Sequence, residues 1–248
     1  MYAATLRIPW PAYLIWVWVG ALTASPLRSA AQTSSQPLVT VEFTTGHPQS
    51  RAHAPTIIAI HGLGDTAHNF SRVFRHSAID AHWIIPQAPT PYGRGFSWFP
   101  VRVPLDPEQD VAPGVDLAAQ DISRLIDFLK STRGLKGPLV VTGFSQGGVI
   151  SYAIAVGNFS LIDAAIPVAG ALPLNTQIVR KNVPIIAIHG QADQVVPLAL
   201  SEVSVSRIRS HGGRARLVSV PGVGHRMPRV IRHQVIDAIQ NSSQMGTP

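Results

Sequence analysis

No cysteine occurs among the 248 residues of this chain. That excludes disulfides, thiolate metal sites and a cysteine nucleophile. A chain of this length can stand on its core without such staples, and it suits one large domain better than two small ones. Charged side chains are scarce too, at 13% against 46% apolar residues. Such a composition folds. Acidic groups are the scarcer sign, 13 Asp and Glu against 20 Lys and Arg, for a formal charge of +7. A basic balance can serve nucleic acid or an anionic membrane surface. The arginines strung from Arg207 to Arg232 lack the interleaved aromatics that single-strand binding needs. No nucleic-acid partner is expected; a solvated basic face is the plain reading, and contact with an anionic membrane or polymer stays open. Also missing are a P-loop, a G-x-G-x-x-G turn after a strand and an H-E-x-x-H pair. Neither a nucleotide cofactor nor a metal is therefore indicated. His47, His53, His68, His76 and His82 show no metal-ligand spacing.

The N-terminus reads as a targeting segment. Arg7 supplies a positive start, an apolar run follows from Ala12 to Leu22, and Ser29-Ala30-Ala31 offers the small residues that a signal peptidase reads. The apolar run falls short of the roughly 20 residues of a membrane span. Residues 1–31 are thus expected to be a signal peptide cleaved after Ala31, with an uncleaved anchor as the alternative. Residues 32–37 form a polar spacer, and the folded domain is expected over 38–242.

Along the rest of the chain, short apolar runs alternate with amphipathic stretches. Strands are expected at Leu38–Phe43, Thr56–Ile60, Trp83–Pro86, Leu139–Thr142, Ala164–Val168, Ile185–Ile188 and Ala215–Val220. Runs such as Ile57-Ile58-Ala59-Ile60 are apolar on both faces, as parallel strands buried beneath helices are. Helical patterns fill Val115–Lys130, Gln146–Val156, Leu198–Ser210 and Pro228–Gln240. The alternation predicts an α/β fold with a doubly wound, mostly parallel sheet. The stretch Gln87–Pro113, rich in proline and aromatics, reads as a long excursion of the kind that often carries function.

The chemistry gathers around Gly143-Phe144-Ser145-Gln146-Gly147-Gly148, which lies between a strand and a helix. G-x-S-x-G in that context is a nucleophile elbow: a tight turn that exposes the serine hydroxyl above the sheet and aims the following backbone N–H, here that of Gln146, at the space beside it. A serine hydroxyl needs a base, and in such sheets the order is Ser, acid, His. Of the acids after Ser145, namely Asp163, Asp193, Glu202 and Asp237, only Asp193 follows the C-terminal end of a strand. Among His211, His225 and His233, His225 lies in a glycine-bearing loop after a strand, whereas His211 closes a helix and His233 sits within one. His189 is expected to pack behind the acid. A second oxyanion donor should come from His61-Gly62-Leu63-Gly64-Asp65, with the Leu63 N–H as first choice and Gly64 as its neighbour; Asp65 or Thr66 would cap a helix there.

These pieces, with Pro86-Gln87-Ala88-Pro89, Ser97-Trp98-Phe99, His189-Gly190-Gln191-Ala192-Asp193 and Val196-Pro197, resemble the phospholipase/carboxylesterase family of α/β-hydrolases, the small carboxylesterases and acyl-protein thioesterases. They stand in the family's order over nearly the whole mature chain. The resemblance implies an α/β-hydrolase fold, the triad Ser145, Asp193 and His225, oxyanion donors Leu63 and Gln146, and an apolar acyl groove to which Trp98 contributes. One position departs: Pro100 follows Phe99, where the family usually carries an acidic residue. The expected chemistry is two-step hydrolysis of a small-molecule or lipid-like ester or thioester. A secreted peptidase, a depolymerase of polyesters or feruloylated polysaccharide, and a non-catalytic binding protein are the rival readings. The oligomeric state is not read from the sequence.

Overall fold

A computed structural model describes residues 38–47, 53–102 and 109–244. The expected signal segment and spacer, residues 1–37, lie outside the described residues. Strands β1 (Thr40–Thr45), β2 (Thr56–Ile60), β3 (Ala81–Pro86), β6 (Leu139–Phe144), β7 (Ala164–Val168), β8 (Ile185–Gly190) and β9 (Ala215–Val220) form one sheet in the order β1-β3-β2-β6-β7-β8-β9. Only β1 runs antiparallel, against β3; every other pairing is parallel. The sheet is doubly wound and mostly parallel, as the alternating pattern predicts.

The period of two along each strand divides the core between the two faces. Ile58, Ile60, Val141, Ile185 and Ala187 point to one side, beneath helices α2 (Ala112–Arg133), α3 (Gln146–Val156) and α4 (Leu198–Ser210). Ile57, Ala59, Val140, Ile186 and Ile188 point to the other, beneath α1 (Ala67–Ser71) and α5 (Arg229–Gln244). The strands thus read as continuous apolar runs because both faces are covered.

Boundaries differ from expectation by a turn or less. Helix α2 starts three residues earlier than expected, with a proline in its first turn, and ends at Gly134 in the left-handed region (φ 56°). The Gln87–Pro113 excursion, in its described residues, is more ordered than a loop. It contains a hairpin of β4 (Thr90–Tyr92) and β5 (Gly95–Ser97), joined to the loop after β2 by an isolated bridge between Asp65 and Phe96. Three-residue strands with proline at the centre of β4 give too short a period to read.

Candidate active site

Four loops meet above the C-terminal ends of the parallel strands. They follow β2, β6, β8 and β9, and they bring Leu63, Ser145, Asp193 and His225 to one place, where doubly wound sheets put their sites.

Ser145 stands between β6 and α3 with φ 56° and ψ −114°. A non-glycine residue rarely adopts this conformation, and the strain persists because the surroundings hold it. Its N–H donates to Val168 O on β7 (2.9 Å), and its carbonyl accepts from Val149 N–H in α3 (3.0 Å). The turn closes only because its glycines carry no side chain: a Cβ on Gly147 would lie 2.0 Å from Ile60 O, and one on Gly143 would lie 2.4 Å from the Gly147 carbonyl.

The Ser145 hydroxyl lies 3.0 Å from His225 Nε2, and His225 Nδ1 lies 2.7 Å from Asp193 Oδ2. An ionised carboxylate only accepts, so Nδ1 carries the hydrogen and Nε2 presents its lone pair to the serine. The His225 ring leans on Phe144, centroids 4.7 Å apart. The Asp193 side chain is fully buried, whereas that of His225 is 15% exposed. The other carboxylate oxygen, Oδ1, accepts the N–H groups of Val195 and Val196, both at 2.9 Å. Burial alone would raise the Asp193 carboxyl, but hydrogen bonds from His189, His225 and Val196 outweigh it and hold the group well below the usual carboxylate range.

The remaining acids and histidines are placed elsewhere. Asp163 accepts the Leu139 N–H at the opposite end of the strands. Glu202 and Asp237 are exposed on their helices. His211 closes α4 by donating to Arg207 O (2.8 Å), and His233 is exposed, taking a hydrogen bond from Arg229.

Beside the serine, the loop after β2 holds its shape through bonds that spare one donor. Gly64 N–H is committed to Phe96 O (2.9 Å) on the hairpin. Thr66 caps α1 by accepting Asn69 N–H, and Asp65 accepts from Thr66 N–H and the Asn69 amide. Among the described residues, no protein acceptor takes the N–H of Leu63 or of Gln146. Two free N–H groups beside a serine hydroxyl, one of them at a helix N-terminus, can receive a developing negative charge on oxygen.

Three side chains not anticipated as site residues keep this arrangement in place. His61 is wholly buried. Its Nε2 accepts Ala88 N–H (3.1 Å) and faces the Gln87 amide (3.1 Å), so Nδ1 carries the hydrogen and donates it to Gly62 O (2.8 Å). Burial pushes His61 below its ordinary value, so the ring is neutral. The Gln146 side chain reaches across to the hairpin's exit: Oε1 accepts Trp98 N–H (3.0 Å), and Nε2 donates to Phe99 O (2.8 Å). That clamp fixes the backbone just before Pro100. Ser201 backs His189 at 2.8 Å. Trp98, expected along an acyl groove, is only 5% exposed. Its indole N–H donates to His61 O (2.9 Å) and its ring packs on His61, so it props the loop after β2 from behind.

A family model described as phospholipase/carboxylesterase matches residues 45–243. Acyl-protein thioesterase 1 homolog 1 from Dictyostelium discoideum is 29% identical over 190 residues, covering 70% of this chain and 84% of the relative. Acyl-protein thioesterase 1 from Cryptococcus neoformans is 30% identical over 173 residues, covering 62% and 72%. Among solved structures, the esterase PE8 superposes with a TM-score of 0.69 at 24% identity, over 83% of this chain and 99% of that one. Acyl-protein thioesterase 2 from Zea mays superposes with a TM-score of 0.66 at 22% identity, over 82% and 98%. At these identities the structural likenesses speak for the α/β-hydrolase fold.

Proposed function

The chain belongs to the phospholipase/carboxylesterase family, and from that premise we propose that it hydrolyses carboxylic esters and thioesters through an acyl-enzyme on Ser145. It is an ester hydrolase of the α/β-hydrolase fold. The observation that carries the residue-level reading is the unbroken chain from Ser145 Oγ through His225 to Asp193, at 3.0 and 2.7 Å. In the first step His225 Nε2 takes the hydroxyl proton as Ser145 Oγ bonds to the acyl carbon. The Leu63 and Gln146 N–H groups receive the negative charge on the former carbonyl oxygen. The tetrahedral intermediate collapses, the bond to the alcohol or thiol breaks, and the leaving group takes the proton from His225. Water, deprotonated by the same ring, then releases the acid. Asp193 holds the tautomer and stabilises the imidazolium. No step calls on a metal or cofactor. The names of the relatives, acyl-protein thioesterases, support a thioester beside an oxygen ester.

The test is a p-nitrophenyl ester series of increasing acyl length, with thioester counterparts, on protein starting at Gln32, beside Ser145→Ala. Turnover in the parent and none in the variant is expected. Wild-type turnover in Ser145→Ala overturns the reading; folded parent protein that cleaves peptides or polymeric esters but no small ester moves it to the rival chemistries.

We also propose that the protein is exported, released by cleavage near Ala31. Support comes from the order Arg7, the apolar run Ala12–Leu22 and Ser29-Ala30-Ala31. N-terminal sequencing of protein from the periplasm or culture fluid should begin at Gln32; an intact Met1 start in the cytosol contradicts export.

A further inference from the structure

Behind the triad lies a second histidine with a wholly buried ring, His189 on β8. Its Nε2 is 2.8 Å from Val196 O and 3.4 Å from Asp193 Oδ2. Both neighbours accept, so Nε2 carries a hydrogen and shares it between them. Its Nδ1 is 2.8 Å from Ser201 Oγ on α4, whose one hydroxyl hydrogen is shared between that nitrogen and Gly170 O (2.7 Å). The Tyr152 hydroxyl of α3 is buried in the same region, with no aligned partner. The Asp193 carboxylate is thereby approached from every side. Two backbone N–H groups take Oδ1, while His225 and His189 converge on Oδ2. An apolar side chain would fill the same space. What the imidazole alone supplies is a second hydrogen aimed at the oxygen that His225 uses.

We propose that His189, backed by Ser201, is a positioning residue of the acyl-transfer site: it anchors Oδ2 of Asp193 and draws off part of its charge, which sets how firmly His225 holds a proton. This rests on the Ser145–His225–Asp193 reading above. The titratable groups facing Asp193 are His189 from β8 and His225 from the loop after β9, with Tyr152 of α3 farther back and kept neutral by burial. Once the His189 hydrogen is removed, Asp193 offers its charge to His225 undivided. The imidazolium is then stabilised, and the base becomes available only at higher pH.

The experiment compares the acid limb of kcat/KM on p-nitrophenyl acetate for wild type, His189→Leu, His189→Gln and Ser201→Ala. Rates are normalised to sites titrated with a fluorophosphonate. In His189→Leu the limb should move up by about half a pH unit, the low end of what a neighbouring donor does to a pKa. Plateau kcat should fall roughly tenfold, equivalent to one moderate transition-state contact, with KM unchanged. His189→Gln, whose amide can place an N–H near the same oxygen, should restore the wild-type limb. Ser201→Ala unties the ring without removing it; it should move the limb the same way by less, and it carries the test if His189→Leu fails to fold. A limb that stays put in His189→Leu, or in Ser201→Ala standing in for it, overturns the proposal, since mere loss of packing lowers the number of active sites and not their titration. If instead Ser145→Ala keeps turnover, it is the triad reading that has failed.

Discussion

At the scale of single residues, the site depends on which groups stay charged and which stay neutral. Asp193 is buried yet ionised, because four hydrogen-bond donors face its two oxygens. Asp193→Asn keeps the shape but presents the wrong partner to Nδ1, and kcat should fall by about 10⁴-fold, as the loss of an orienting carboxylate does in such triads. The same residue has a thermodynamic signature. Its folded pKa lies below the unfolded value of about 3.9, so the unfolded chain takes up the proton first. Its contribution to stability is full above that pH and is lost as pH falls toward the folded value. Urea melts between pH 6 and 3 should show wild type losing stability faster than Asp193→Asn at the acid end; parallel losses contradict this. His61 gives the same sign at a different pH. Its folded pKa is lowered by burial, while the unfolded ring titrates near about 6.5. Stability should therefore decline as pH drops through that value, and His61→Gln should lack this part of the decline.

At the scale of elements, the elbow and its clamp decide whether the loops meet. Gly147→Ala would press a methyl group onto the backbone oxygen of Ile60 at 2.0 Å. It should cost at least about 2 kcal/mol, in the range of overpacked cores, and a melt within about 0.5 kcal/mol of wild type, the scatter of neutral surface changes, contradicts the contact. Gln146→Ala keeps the backbone N–H beside Ser145 but strips the partner from Trp98 N–H and one of two donors from Phe99 O, which still accepts from Ser97 Oγ (2.8 Å). A buried N–H left unpaired costs about 1–3 kcal/mol. We expect a lower melting temperature and reduced kcat, with fluorophosphonate labelling of Ser145 retained. The elbow was legible because its logic is local: strand, glycine, serine, glycine, helix. The meeting of Asp193 and His225 was legible because each follows a strand's end. The clamp was not, since Gln146 meets Ser97 across 49 residues of sequence and no periodicity marks the pairing. His61 and Ser201 were hidden for the same reason, and the burial of Trp98 was too, because exposure is a property of what later packs on a side chain. A signal did exist for His61: a histidine at the end of an apolar strand must find partners for both nitrogens when buried.

At the scale of the whole molecule, seven strands read from apolar runs became the seven strands of one sheet, because residues covered on both faces leave an unbroken pattern. The hairpin β4–β5 escaped because three-residue strands carry too few residues to show alternation. Among the described residues, no helix is long and apolar enough to cross a membrane. The sheet gathers the C-terminal ends of β2, β6, β8 and β9 on one edge, so that Ser145, His225, Asp193 and the N–H groups of Leu63 and Gln146 come from distant parts of the chain to one small volume. The most direct test of that claim is the site of covalent capture. The protein should be treated with one equivalent of a fluorophosphonate, then assayed on a p-nitrophenyl ester and mapped by peptide mass spectrometry. The account predicts one adduct per chain, on the peptide carrying Ser145, with activity lost in proportion to labelling. An adduct on another residue, or full activity in protein labelled at Ser145, would contradict it.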